Sequence, residues 1–80
     1  NMELSYRHFR DMNAMVLRDR ENQLSCIYLF DDQWKNIYKN DGLKGMAEVF
    51  AVKQDIILLN LKNNTVEIGN IKLNKSDKPE

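Results

Sequence analysis

Short apolar runs separated by turn-forming residues are the feature that most constrains the fold of this chain. The longest unbroken apolar stretches have four residues, at positions 27–30 and 56–59. A membrane-spanning helix needs about 20 apolar residues in succession, so we expect no membrane span and no membrane partner. Short apolar runs between turn signals predict buried strands instead.

The N-terminal segment has a different pattern, which predicts an amphipathic helix from Ser5 to about Arg18. Ser5 is a favourable N-cap, and Leu4 before it can contact Phe9 as a hydrophobic staple. At about 100° per residue, one helix face collects the apolar side chains. They are Tyr6, Phe9, Met12, Met15, Val16 and Leu17. A longer helix would turn charged residues into this apolar stripe, so we expect it to end there.

Five strands are expected after the helix, joined into an antiparallel meander. The predicted strands cover residues 24–30, 34–39, 46–53, 56–62 and 65–73. The first has the continuous apolar character of a strand buried on both faces, while the second also fits one helical turn. The sequences Asn40-Asp41-Gly42 and Asn63-Asn64 predict turns, and Gly45 suits a bend.

The last strand and the composition complete the fold prediction. Ile68 and Ile71 fall on opposite faces of one strand, which predicts a bulge or break at Gly69-Asn70. Apolar residues make up 42% of the chain and charged residues 30%, as is typical of a globular protein. The predicted fold class is α+β, with an N-terminal amphipathic helix and a five-stranded antiparallel meander closed as a small barrel or strongly bent sheet. Residues 1–75 are expected to form one domain, and residues 76–80 a mobile tail.

Charge and cysteine content narrow the functional classes. Twelve basic residues balance twelve acidic ones, so nucleic-acid binding would need a local patch. Cys26 is the only cysteine, which excludes an internal disulfide and favours a reducing, cytoplasmic location. A chain of 80 residues buries only about 60% of its unfolded surface, so we expect a homo-oligomer.

No residue pattern provides catalytic chemistry, so we predict no enzyme and no cofactor or metal. His8 is the only histidine and lies at the edge of the predicted apolar stripe. The adjacent carboxylates Asp31 and Asp32 would point to opposite faces of a strand, so a turn is the better interpretation. The segment from Gly42 to Gly45 lacks the spacing of a phosphate-binding loop.

An aromatic cluster is the first candidate binding site. Trp34, Tyr38 and Tyr28 are interleaved with Lys35 and Lys39. This mixture suits a protein interface, a surface that stacks single-stranded nucleic acid, or the cap of a hydrophobic core. The protein interface is favoured over nucleic acid, and an exposed Trp34 would support it.

The arginines form the second candidate site, because all four lie before position 21. On the predicted helix Arg7, Arg10 and Arg18 fall within about 80° of one another, with Arg20 beyond its end. Such a group can hold phosphates bidentately. Acidic neighbours balance their charge, so a solvated face is the alternative.

Two stretches resemble the Sm-like fold, and most closely the bacterial RNA chaperone family Hfq. Residues 17–21, Leu-Arg-Asp-Arg-Glu, followed by 25–29, Ser-Cys-Ile-Tyr-Leu, resemble that family's arginine-bearing helix end and first strand. Residues 42–59 lie without gaps on its G-x-K-x-x-G-x-I-x-x-F-D-x-F-x-x-L-L run. The matching positions there are Gly42, Lys44, Leu58 and Leu59.

This resemblance covers roughly residues 9–73, interrupted at 31–41, and it departs from the family at its uridine site. The family's Y-K-H uridine-binding motif falls on Glu67-Ile68-Gly69, so that motif is absent. The resemblance implies a ring-forming RNA binder that contacts RNA through Arg18 and Arg20.

Two functions are therefore expected from the sequence. The favoured one is a small non-enzymatic binding module that self-associates and contacts a protein partner through Trp34, Tyr38 and Tyr28. The alternative is a ring-forming Sm-like RNA-binding protein that uses Arg7, Arg10, Arg18 and Arg20.

Overall fold

The computed structural model shows an all-β domain of seven antiparallel strands in two sheets. The structure describes residues 1–73, and within them there is no helix. The strands are β1 (Met2–Phe9), β2 (Met12–Asp19), β3 (Leu24–Asp31), β4 (Asn36–Lys44), β5 (Met46–Val52), β6 (Asp55–Lys62) and β7 (Thr65–Asn70). Strands β1 to β4 form a four-stranded sheet and β5 to β7 a three-stranded sheet, each in chain order. The predicted α+β class, with one helix and five strands, is therefore wrong.

A hairpin of β1 and β2 replaces the predicted N-terminal helix. Arg10-Asp11 connects the two strands, and Arg10 has a φ of 56°. The helical spacing arises because β2 is apolar on both faces. Val16 is buried between the sheets, whereas Leu17 points outward. Apolar residues on both faces of β2, together with those of β1 before the turn, have the same spacing along the chain as one apolar stripe on a helix.

Two predicted irregularities also need correction. Asn40-Asp41-Gly42 lies inside β4 as an irregularity in its pairing with β3, and not in a turn between strands. The bulge or break predicted at Gly69-Asn70 is wrong, because β6 and β7 pair without a register shift and the Ile71 N–H donates to the Ile56 carbonyl in the same register. Ile68 points to solvent and Ile71 to the core, so no phase correction is needed. The predicted boundary at residue 75 and the tail 76–80 lie outside the described residues.

The core lies between the two sheets. Its buried apolar residues are Met12, Ala14, Val16, Ile27, Leu29, Ile37, Ala47, Val49, Ile56 and Ile71. The strand predicted to be buried on both faces, β3, is fully buried only on the face that carries Ile27 and Leu29. Its other face is partly exposed, which creates the surface described below.

Gly45 carries the chain from one sheet to the other, as the predicted bend. Its φ is 122°, and a Cβ there would clash with the side chain of Asn60, so only glycine fits. The Ser25 hydroxyl fixes this corner by donating to the Gly45 carbonyl (2.7 Å) and accepting from the Ala47 N–H (3.0 Å). The second sheet is thereby held over the first by buried polar contacts as well as by the core.

Candidate interaction surface

The outer face of the four-stranded sheet is apolar along most of its length. Side chains alternate along each strand, so the residues between the core positions point away from the second sheet. The outward residues that make the face apolar are Met2, Leu4, Tyr6, Met15, Leu17, Leu24, Cys26, Tyr28 and Phe30, and the polar residues His8, Asn13 and Asp19 lie at its two ends. Together with Trp34 from the β3–β4 loop, they form what we call the aromatic face. Leu4 is 64% exposed and Tyr6 51%, so part of this face is open to solvent.

The β3–β4 loop holds Trp34 in an unusual backbone conformation. The Asp31 carboxylate accepts the backbone N–H groups of Gln33 (2.9 Å) and Lys35 (2.8 Å), and the Asp31 carbonyl accepts the Trp34 N–H (3.0 Å). This turn, followed by a residue at positive φ, is a common hairpin connection in which that residue is usually glycine. Here it is Trp34, with a φ of 65°. The turn predicted for the two aspartates is confirmed.

Trp34 lies over two aromatic rings of the aromatic face. Its ring centroid is 6.2 Å from that of Tyr6 in a stacked arrangement, and 5.5 Å from that of Phe30 in a tilted one. Both distances lie in the range of favourable aromatic pairs. Trp34 nevertheless remains 52% exposed. An exposed Trp34 is the condition stated above for interpreting the cluster as a protein interface.

Buried Asn13 fixes the position of Tyr6. The Tyr6 hydroxyl donates to Asn13 Oδ1, and His8 Nδ1 lies 3.1 Å from the same oxygen. The Asn13 amide in turn donates to the Asp31 carbonyl at 3.3 Å. The rings under Trp34 are therefore connected to the loop that carries it, and the cluster is preorganised.

Tyr28 and Cys26 continue the aromatic face along β3. Interaction with the Cys26 side chain, followed by desolvation and the charge of Asp41, raises the pKa of the Tyr28 hydroxyl. Cys26 Sγ also lies 3.5 Å from the Asp41 carbonyl, to which it donates. Tyr28 and Cys26 thus extend the aromatic face along β3 with a hydroxyl and a thiol.

The three aromatic residues singled out in the sequence do not form one cluster. Trp34 and Tyr28 share the aromatic face, whereas Tyr38 pairs with Leu29 and packs against the core. Tyr6 and Phe30, whose rings contact Trp34, were not predicted as members of this cluster. Tyr6 was assigned to a helical core stripe; its alternation with Leu4 along a strand was the signal for an outward position.

Arg18 lies between the sheets and makes several contacts there. Its guanidinium donates to the Ala47 carbonyl (2.8 Å) and to the Ser5 hydroxyl, and lies 3.3 Å from Glu48 Oε1. Its side chain is only 12% exposed. The Ala47 carbonyl points away from β6, so Arg18 occupies a position that a neighbouring strand would otherwise take. These contacts leave little of Arg18 available to a phosphate.

The remaining arginines are separated from one another. Arg7 points to the same side as Arg18, Arg10 lies in the β1–β2 turn, and Arg20 lies beyond β2. Arg20 holds Glu3 through both carboxylate oxygens, at 2.9 and 3.0 Å. Hydrogen bonding and charge from Arg20, and more weakly from Arg18, lower the pKa of Glu3. The helix face on which three of these arginines were grouped does not exist.

The outer face of the three-stranded sheet is a second exposed apolar surface. Leu61 lies opposite Val66, and Leu59 opposite Ile68, all turned away from the core. Ile68 is 71% exposed. This face has no aromatic side chain comparable to Trp34, since Phe50 on β5 is partly buried.

A cavity of about 480 Å³ opens at the end of the sandwich. Asp11, Asp31, Asp32 and Asp55 lie around it, with Arg10 and Lys72. The Asp31 carboxylate is already bonded within its own loop. Across residues 1–73, no three His, Cys, Asp or Glu side chains come together in a way that could hold a metal ion.

No family model, curated protein or solved structure matches this chain. The resemblance to the Sm-like fold therefore stays a prediction. In residues 1–73 there is no helix with the length and apolar character needed to cross a membrane.

Proposed function

We propose that this domain is a non-enzymatic binding module that self-associates and binds a protein partner on the aromatic face. The observation that carries the proposal is the half-exposed Trp34, stacked on Tyr6 and Phe30 at one end of a continuous apolar surface. Tryptophan and tyrosine in such clusters are the residues that contribute most to protein interfaces.

The size of the aromatic face fits a protein contact. The three strands that carry this face, each of about eight residues, are spaced about 4.8 Å apart and rise about 3.3 Å per residue, so they cover roughly 380 Å². Exposed apolar patches of this size mark interaction sites on soluble proteins. A standard interface buries roughly 800 Å² on each partner, so neighbouring polar residues would complete the contact.

The polar residues beside the face indicate the chemistry of the partner. Lys39 lies opposite Tyr28, and Lys44 opposite Leu24, so two lysines border the face along β4, with Asp41 between them at 3.8 Å from Lys39. Lys35 follows Trp34 in the loop. A partner that presents apolar anchors flanked by Asp or Glu would complement this arrangement, because a charged rim selects partners of opposite charge.

The backbone at Trp34 adds a supporting argument. A bulky residue in the left-handed region costs about 1–2 kcal/mol, and glycine or asparagine would avoid that cost. Arg10, Gln23 and Lys53 have a similar φ in other turns of the chain, so the conformation supports a role for Trp34 only together with its exposure and stacking. At Trp34 the side chain gained is an exposed indole ring, which suits binding better than folding.

RNA binding through the arginines is the competing proposal. Arg7 is half exposed and Arg20 more than half, so both are accessible, whereas Arg18 is mostly covered. Without a shared helix face, these side chains offer separate phosphate contacts. The contiguous aromatic face therefore supports protein binding better than RNA binding.

A displayed library of random peptides, selected on the wild-type domain, tests the proposed function. We expect enriched peptides that combine aromatic or aliphatic anchors with acidic residues. Their affinity is expected to fall at least about tenfold for Trp34→Gly combined with Tyr6→Ser. The matched control combines Val66→Ser and Ile68→Ser on the other exposed apolar face and is expected to leave the affinity unchanged.

Two outcomes would contradict protein binding on this face. One is that no peptide is enriched, or that the enriched peptides bind both double variants equally well. The other is tight binding of a single-stranded RNA that weakens steeply with salt and is lost in Arg7→Ala. A steep salt dependence is the signature of counterion release from phosphates.

A further inference from the structure

One edge of the four-stranded sheet is open for pairing along the whole of β1. The Arg20 N–H donates to the Asn1 carbonyl, which places the odd-numbered residues of β1 in the hydrogen-bonded positions opposite β2. The even-numbered residues Met2, Leu4, Tyr6 and His8 therefore direct their N–H and C=O groups away from β2. An unpaired edge of this kind is a template for another strand.

We propose that two copies of this chain pair through β1, antiparallel and centred on Ser5. In this register Leu4 lies opposite Tyr6 of the second copy, and Met2 opposite His8. All four outward-directed backbone positions on each copy are then hydrogen bonded. The two four-stranded sheets become one sheet of eight strands, and the two aromatic faces become continuous. This inference rests on the proposed self-association and names its contact.

Charge selects this register over its neighbours. On the inner side of β1 it places Glu3 opposite Arg7 of the second copy, and by symmetry it does so twice. Within one copy Glu3 already binds Arg20, and Arg7 lies 3.9 Å from Glu48. Both side chains remain accessible, with 44% of Glu3 and 50% of Arg7 exposed, so the contacts between copies would extend these ion pairs. If one copy is shifted by two residues in either direction, Ser5 lies opposite Glu3 or Arg7 of the second copy. Glu3 then no longer lies opposite Arg7. Opposite charges directly across antiparallel strands are favourable, whereas like charges repel.

The edges at β4 and β7 offer less to a second copy. The pairing of β4 with β3 is interrupted by two register shifts, and irregularities of this kind turn an edge away from further pairing. The turn at Asn63-Asn64 has positive φ at both residues, so Val66, Ile68 and Asn70 direct their backbone groups outward. Antiparallel pairing centred on Ile68 would use these three positions and place Glu67 opposite Gly69. That arrangement has fewer hydrogen bonds than the β1 pairing and no pair of opposite charges, so β1 is the preferred edge.

A disulfide across the two-fold axis tests the register. Directly opposed residues in non-hydrogen-bonded antiparallel positions have Cα atoms about 4.5 Å apart, within reach of a disulfide. In a Cys26→Ser background, Ser5→Cys is expected to form a covalent dimer under mild oxidation. Arg7→Cys is the matched control, because it lies on the same face of β1 but roughly 13 Å from its symmetry mate. It is expected to stay monomeric on a non-reducing gel.

Sedimentation equilibrium of the unmodified protein separates the two levels of the proposal. A dimer whose Ser5→Cys variant does not cross-link would overturn the β1 contact and leave self-association standing. A strict monomer at micromolar concentration would overturn both.

If Ser5→Cys does not fold, a charge reversal at Arg7 tests the same β1 contact. Arg7→Glu places like charges opposite each other twice, so its dissociation constant is expected to rise at least about tenfold. Arg10→Glu makes the same change in the β1–β2 turn and is expected to have no effect. Equal effects of the two variants would contradict the β1 contact.

Discussion

Replacing Arg18 with alanine isolates the contact that joins the two sheets. The change removes the hydrogen bond to the Ala47 carbonyl at 2.8 Å and the ion pair with Glu48 Oε1 at 3.3 Å. That Glu48 oxygen is buried and accepts no hydrogen bond from any described residue, so Arg18 is its main compensation. Arg18→Ala would leave the Ala47 carbonyl without its donor and Glu48 with only the longer ion pair to Arg7, at 3.9 Å.

The expected loss of stability is a large part of the total. A hydrogen bond to a charged group contributes about 1.5–3 kcal/mol, and a buried acceptor left unpaired costs about 1–3 kcal/mol. We expect Arg18→Ala to reduce the free energy of unfolding by about 3 kcal/mol. A domain of this size has about 4–12 kcal/mol in all.

Urea denaturation followed by far-UV circular dichroism measures this loss, with Arg20→Ala as the control. Both arginines contact Glu3, but the Arg20 side chain is 60% exposed and that of Arg18 only 12%. An exposed ion pair contributes less than about 1 kcal/mol, so Arg20→Ala should shift the urea midpoint only slightly. If Arg18→Ala lowers the free energy of unfolding no more than Arg20→Ala does, the structural role of Arg18 is refuted. Phosphate binding by Arg18 would then be the better interpretation.

Three further predictions follow from the turns and from Glu3. In chemical denaturation, Trp34→Gly should have a free energy of unfolding about 1 kcal/mol higher than Trp34→Ala. Both variants lose the stacking, but only glycine adopts the positive φ without strain. A Trp34→Ala variant more stable than Trp34→Gly would contradict the strain. Gly45→Ala should cost more than about 3 kcal/mol or prevent folding, and Gly45→Ala with Asn60→Ala should remain destabilised because the φ of 122° persists; full rescue would show that crowding alone requires glycine. In Arg20→Ala, an NMR titration should find the pKa of Glu3 raised towards its ordinary value of 4.5. The Glu3 contribution is present at neutral pH and is lost as the pH falls through its lowered pKa, so Arg20→Ala should also flatten the acid side of the stability profile.

The second half of the fold could be predicted because its local signals agree with its tertiary structure. The residues predicted for the strands β5 and β6 lie within one residue of those observed. Gly45 marks the bend, and Asn63-Asn64 tolerates the positive φ of its turn. Each of these positions has a residue whose intrinsic preference matches its place in the structure.

The β1–β2 hairpin could not be predicted, although β3 was predicted at residues 24–30, because the reversal of the chain at the hairpin has no such residue. Arg10-Asp11 turns the chain with a positive φ at Arg10, where glycine or asparagine would have indicated a turn. Ser5 and Leu4 resemble helix caps, although both lie within β1. Periodicity also assumes that apolar residues are buried, and Leu4 is 64% exposed.

The candidate site was predicted in part. Trp34 was identified as a decisive residue, and its exposure agrees with the interface interpretation. Its stacking partners were hidden by the helix assignment of Tyr6 and by the interpretation of β3 as buried on both faces. The structural role of Arg18 could not be predicted, because a cation that binds a backbone carbonyl between two sheets has no distinct pattern in the sequence.

Acrylamide quenching of tryptophan fluorescence tests the central claim most directly, because Trp34 is the only tryptophan in the chain. The free domain should show the red-shifted emission and strong quenching of a half-exposed indole. Saturation with a selected peptide should shift the emission to the blue and protect Trp34 from acrylamide. A peptide that binds to saturation without changing the emission or the quenching of Trp34 would contradict binding on the aromatic face.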